Sequence, residues 1–147
     1  MSRCRFRYED LPEWMKAQVD ALTRRTAEPA RPAGAGESRA AGRMPRGRRQ
    51  PNKTEAAYRA EVLGQRADVA AMHYEGLTFR MANGHRYTPD WVVVTQAGRI
   101  ECHEIKGGHA LHSQQRARLA FDQARVEFPW IVWTWAMGTK GGWKIGG

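Results

Sequence analysis

Asp90, Glu104 and Lys106 are two carboxylates and an ammonium that fall on either side of a single turn, Gln96-Ala97-Gly98. Side chains alternate faces along a strand, so Glu104 and Lys106, two residues apart, share a face, and Ile105 between them points the other way. A hairpin turning at Gln96-Ala97-Gly98 pairs the start of one strand with the end of the next. It brings Asp90 beside Glu104 and Lys106 at the end remote from the turn. Two carboxylates and a lysine make poor core, because like charges repel and each loses hydration on burial. A hard divalent cation resolves the conflict, since it takes oxygen ligands from carboxylates, a backbone carbonyl and water. The carbonyl of Ile105 is a candidate further ligand. Lys106 is then placed to hold or deprotonate an attacking water, or to stabilise a charged phosphorane-like transition state. These are the groups that phosphodiester hydrolysis requires.

The elements around this constellation follow from pattern. Leu11, Met15, Val19 and Leu22 recur at helical spacing after Pro12, which predicts a short helix from Pro12 to Arg25. Residues 27–50 are Ala, Gly, Pro and Arg with one large apolar residue, Met44, and read as a flexible linker. The linker arginines, Arg31, Arg39, Arg43, Arg46, Arg48 and Arg49, either touch phosphates without sequence preference or form a solvated tail that aids solubility. Residues 51–147 form the expected folded domain. Asn52 or Thr54 caps a helix predicted through Ala70, with Glu55 in its first turn and Tyr58, Val62 and Val69 as a partial stripe. Strands are expected over His73–Met81, Arg86–Thr95 and Arg99–Lys106, joined by Ala82-Asn83-Gly84-His85 and Gln96-Ala97-Gly98.

Gly107-Gly108 breaks the last of these strands. A helix from Leu111 to Phe128 follows, with Ser113 as a candidate cap, Leu119, Ala120, Ala124 and Val126 near its apolar side, and Pro129 as its stop. Trp130–Met137 is rich in β-branched and aromatic residues and reads as a central strand, with Trp143-Lys144-Ile145 at an edge. The predicted fold class is α/β: a mixed sheet in the order helix, three strands as a meander, helix, strand, with an N-terminal helical segment over residues 1–26.

Composition sets the class of partner. Lys and Arg number 24 against 15 Asp and Glu, a formal charge of +9 with a pI near 10.3, which predicts attraction to polyanions, nucleic acid first. Only Cys4 and Cys102 are present, too few and too far apart for a disulfide framework or a paired Cys/His zinc site, and a reducing cytoplasm fits. Cys102 lies within an apolar strand pattern and reads as core. No apolar run approaches membrane-spanning length, and the three arginines of residues 1–9 are followed by no apolar segment of the kind a secretory signal carries.

Tyr87-Thr88-Pro89-Asp90-Trp91, followed after one turn by Glu104-Ile105-Lys106-Gly107, resembles the PD-(D/E)xK nuclease signature. It is similar to phage endonuclease I-like Holliday-junction resolvases and to small phage nucleases once catalogued as a domain of unknown function. The likeness covers roughly residues 52–145 and departs from those families at Gly107-Gly108-His109, where they carry a bulkier aromatic. It implies a restriction-endonuclease-like core and an endonuclease that uses Mg2+, with Mn2+ as substitute. It also implies 5′-phosphate and 3′-hydroxyl products, a branched substrate in phage recombination or replication, and action in the host cytoplasm.

In those families a preceding helix supplies an acid to the metal or its water. Glu55 stands in that place, although the helix dipole alone also accounts for an acid there. A homodimer follows if the substrate is a junction with two strands to cut. Arg116 and Arg118 on the second helix, His109 and His112 before it, Lys53 beside Glu55, and Lys140 and Lys144 near the C-terminus are the candidate DNA contacts. Most tryptophans, including Trp91, Trp130, Trp133 and Trp135, are expected in the core. The competing classes are a non-enzymatic DNA-binding protein that keeps the nuclease fold, and a phage structural or packaging accessory that holds nucleic acid with the arginine arm.

Overall fold

The computed structural model describes residues 11–27, 49–108 and 113–146. Its elements in chain order are helix α1 (Glu13–Ala27), helix α2 (Lys53–Glu61) with a 3-10 turn at Leu63–Gln65, β1 (Val69–Tyr74), β2 (Phe79–Arg80), β3 (Arg86–Tyr87), β4 (Trp91–Thr95), β5 (Ile100–Lys106), helix α3 (Ser113–Glu127), β6 (Val132–Thr139) and β7 (Gly142–Gly146). The fold is mixed α/β. Five strands form one sheet in the order β1-β4-β5-β6-β7, antiparallel except for the β5–β6 pair, and β2 and β3 form a separate two-stranded ribbon.

Alternation along the strands sorts side chains to two faces. Val92, Cys102, Trp133 and Trp135 join Leu11 and Met15, which lead into and lie on α1, the ribbon residues Phe79 and Tyr87, and Phe121 and Ala124 of α3 in one core. Trp91, Val93, Ile105 and Ala136 face the other way and pack on Tyr58 of α2 and Leu63. Cys102 is fully buried, as a core residue should be, and burial pushes its thiol pKa well up. Each such apolar side chain contributes about 1.5–3 kcal/mol on leaving water. No helix among the described residues is long and apolar enough to cross a membrane.

Helix α1 sits where its spacing puts it. Pro12 opens it, its carbonyl accepting the Met15 and Lys16 N–H groups at 2.9 and 3.0 Å. Trp14 stands edge-on to Phe79 and Phe128, and Gln18 exchanges hydrogen bonds with the Thr78 backbone. The linker arginines other than Arg49, together with Cys4, His109 and His112, lie outside the described residues; Arg49 pairs with Glu75 at 3.3 Å.

Five expectations are corrected. Helix α2 ends at Glu61, not Ala70. After the 3-10 turn Arg66 becomes extended and its guanidinium binds Glu101 and Asp68, which frees Val69 to pair with Thr95 as a strand. The strand expected over His73–Met81 begins earlier and stops at Tyr74, where Glu75 takes a left-handed φ of 46°.

The strand expected over Arg86–Thr95 is cut in two at Thr88-Pro89. Buried Pro89 has no N–H to give a ladder. The Asn83-Gly84 turn, with Gly84 at φ 82°, therefore closes the β2–β3 ribbon, and β1 pairs directly with β4, so the strand order is not that of a simple meander. On α3 the inward residues are Ala117, Ala120, Phe121 and Ala124, while Leu119 and Val126 are 71% and 76% exposed.

Candidate active site

The β4–β5 hairpin turns at Gln96-Ala97-Gly98, with Gly98 at φ 73° and the Thr95 N–H donating to the Arg99 carbonyl at 2.9 Å. Its register pairs Trp91 with His103, so Asp90, one residue earlier, comes level with Glu104 at the open end. Asp90 is fixed twice. Its carbonyl accepts the Glu75 N–H at 2.9 Å, and Oδ2 of its carboxylate accepts the Ile105 N–H at 2.7 Å.

Glu104 is 5% exposed. Its Oε1 accepts from Lys106 Nζ at 2.6 Å and its Oε2 from the Tyr87 hydroxyl at 2.7 Å. The site therefore carries two acids on one cation. Burial first, and then the charge of Glu104, push the Asp90 carboxyl up to about 7, against the pull of the Ile105 N–H and Lys106. Burial and the adjoining Glu104 likewise raise the Tyr87 hydroxyl, which keeps it a donor.

Glu55 is close enough for its charge to raise Asp90 further, but its oxygens are already engaged. Oε2 accepts the Asn52 N–H at 2.8 Å and the Tyr74 hydroxyl at 2.9 Å, and Oε1 accepts from Asn52 Nδ2 at 2.6 Å, while Asn52 Oδ1 accepts the Glu55 N–H. This is a capping box that closes the start of α2.

The basic residues sort by place. Arg118 lies with its guanidinium carbon 5.1 Å from the Trp135 ring centroid, and Lys106 Nζ lies 5.7 Å from the same centroid, so one indole carries both cations. Arg118 also binds Asp122 at 2.9 Å. Lys140 follows Met137, the β6 partner of Lys106, by three residues, which sets the β6–β7 turn at the same end of the sheet as the site. Lys53 opens α2 there too, because a side chain at Gly107 would meet Thr54 at 3.9 Å. Arg116 and Lys144 are exposed and touch none of the three central residues.

Gly108 permits this closure. A Cβ there would stand 2.9 Å from the Gly138 carbonyl, so β5 and β6 converge just past the site only with glycine in that place.

On the opposite face, Tyr58 donates to or accepts from His103 Nδ1 at 3.0 Å, and His103 Nε2 lies 3.4 Å from Glu101, which Arg66 holds with two bonds. The His103 and Arg66 contacts lower the Glu101 carboxyl to about 2. Glu101 and His103 thus stand away from Glu104, as alternation requires.

Two residues of the site escape sequence reading. Tyr87 enters the sequence reading only as part of the Tyr87–Trp91 string, and the structure adds its hydroxyl on Glu104. Trp135 reads as core, which it is, but its ring also serves two cations. Tyr87→Phe is expected to leave a buried Glu104 oxygen without its donor and to cost about 1–3 kcal/mol of stability. Chemical denaturation of the two proteins measures it, and equal midpoints would show that the hydroxyl is dispensable.

Among the described residues no group of three or more His, Cys, Asp or Glu side chains is spaced to hold a metal ion. Asp90 and Glu104 are the available pair. Magnesium commonly takes one or two carboxylates and completes its shell with water and substrate phosphate. The residues present fit that demand: burial first, and then the charge of Glu104, disfavour the Asp90 carboxylate, and a dication between the two acids would offset both. Compared with protein-family models, curated proteins and solved structures, the chain matches none.

Proposed function

We propose that the chain is a metal-dependent DNA endonuclease of the PD-(D/E)xK type, built on a restriction-endonuclease-like core and hydrolysing phosphodiesters of branched DNA. The observation that carries the reading is half-buried Asp90 beside buried Glu104, with one lysine, at the open end of the β4–β5 hairpin. A bound magnesium ion would supply Lewis-acid polarisation of the phosphoryl oxygen.

Asp90, Glu104 and the carbonyl of Ile105 are the oxygens that would hold it, with Glu55 acting at its margin through charge rather than as a direct ligand. Lys106, steadied by Glu104, positions the attacking water and offsets charge gathering on the phosphate. The water oxygen bonds to phosphorus, the bond to the 3′ oxygen breaks, and that oxygen takes a proton, leaving a 5′-phosphate and a 3′-hydroxyl. Arg118, which shares the Trp135 indole with Lys106, would touch the neighbouring phosphate. Lys53, Lys140 and Arg116 add further positive charge for the DNA backbone, and His109, outside the described residues, is a further candidate contact. Branched substrates with two strands to cut call for a homodimer, and phage recombination or replication in a host cytoplasm is the setting this reading implies.

One observation favours a second reading. Glu55 is spent on its own helix cap, so only two carboxylates converge. A DNA-binding accessory protein that keeps the fold would need no more than that. Calorimetry separates the two. Magnesium should bind the wild-type chain and fail to bind Asp90→Ala; the absence of magnesium binding to either protein, with DNA absent and present, would favour the accessory protein.

A further inference from the structure

The β2–β3 ribbon carries an arrangement that folding alone does not explain. Arg80 and Arg86 are direct cross-strand partners, both exposed. Directly opposed side chains share a face with their Cβ atoms about 5 Å apart, where like charges destabilise the pair. Neither arginine has a hydrogen bond, ion pair or ring contact among the described residues. The nearby acid, Glu127, is engaged at the turn, its Oε2 accepting the Ala82 N–H at 2.8 Å and its Oε1 accepting from Gln123 at 2.7 Å. The ribbon therefore presents two uncompensated guanidinium groups side by side.

The ribbon is also held rigidly. Its other face, Phe79 and Tyr87, is buried in the core, and Tyr87 holds Glu104. Its turn is pinned to α3 through Asn83 and Gln123 at 2.9 Å as well as through Glu127. Exposed Asn83, Gly84 and His85 form the tip. A two-stranded ribbon fits the major groove of DNA, roughly 12 Å wide, and two adjacent guanidinium groups match phosphate oxygens in charge and geometry.

We infer that the β2–β3 ribbon is a duplex-DNA contact in which Arg80 and Arg86 grip phosphates on a face turned away from the Asp90–Glu104–Lys106 cluster. This shares with the nuclease reading only that DNA is the partner.

The test is binding of a labelled 20-base-pair duplex, followed by fluorescence anisotropy in EDTA over a series of salt concentrations. The full chain is compared with Arg80→Gln/Arg86→Gln and with Lys106→Ala. The double variant should lower the slope of log affinity against log salt by roughly 2, one for each lost phosphate contact. It should melt no lower than wild type, because a like-charge pair has been removed. Lys106→Ala should keep most of the slope. An unchanged slope in the double variant would overturn the proposal, and so would an equal loss on a single strand of the same length. A lowered slope in a protein that never cuts DNA would sustain the ribbon contact while rejecting the nuclease.

Discussion

Lys106→Ala is expected to lower the single-turnover rate of magnesium-dependent DNA cleavage by roughly 10²–10⁴-fold, the usual scale for loss of a group that moves a proton or stabilises charge in a transition state. The lysine has no substitute in place. Its Nζ sits 2.6 Å from Glu104 Oε1 and over Trp135, and Arg118 is on the same indole but is tied to Asp122. DNA binding should be nearly retained, because one of many cations is lost. Lys106→Arg should recover little, since a planar fork cannot occupy the place of a compact ammonium against a carboxylate and an indole. Rapid-quench cleavage beside anisotropy separates the two effects. Wild-type cleavage rates in Lys106→Ala would remove the lysine from the chemistry.

Asp90→Asn is expected to remove the pH dependence of stability that this carboxyl imposes. The folded-state carboxyl titrates at about 7, against about 3.9 when unfolded. Its contribution to stability is therefore full below pH 4. It is lost as pH rises from about 4 to 7, where the unfolded chain releases the proton and the folded chain still holds it. At pH 8 in EDTA the variant should be more stable than wild type by on the order of 1–3 kcal/mol, the range seen when an unfavourable buried charge is replaced. Glu101 acts in the opposite sense and in another window: its stabilisation is present above about pH 4 and is lost as pH falls toward 2. Magnesium at pH 8 should stabilise wild type and leave Asp90→Asn unmoved. Thermal melts from pH 4 to 8 provide the measurement, and parallel curves for the two proteins would show that Asp90 carries no such penalty.

The site was more legible in the sequence than the path of the chain to it. Alternation along Ile100–Lys106 and the Gln96-Ala97-Gly98 turn suffice to set Asp90, Glu104 and Lys106 together, because both are local rules. The ends of α2, β1 and β4 were not local. Val69 fits a helical stripe and a strand equally well, and pairing with Thr95, together with the capture of Arg66 by Glu101, decides it. Asn83-Gly84 correctly marks a hairpin, but which sheet that hairpin joins depends on Pro89, whose missing N–H separates Tyr87 from Trp91.

Leu119 and Val126 look like core on a helical wheel and are exposed, because Phe121 and Ala124 already fill the space under α3. Glu55 shows the limit of motif reading most clearly. Its position satisfies both a helix cap and a metal site, and the hydrogen bonds to Asn52 and Tyr74 show that the cap is made.

The most direct test of the central claim is incubation of the purified protein with a labelled four-way junction, a flap, a duplex and a single strand, each with magnesium or EDTA. Cutting in magnesium alone, strongest on the branched molecules and lost in Lys106→Ala, is the result predicted here. Binding without cutting in magnesium and in manganese would contradict it and leave a DNA-binding accessory protein in its place.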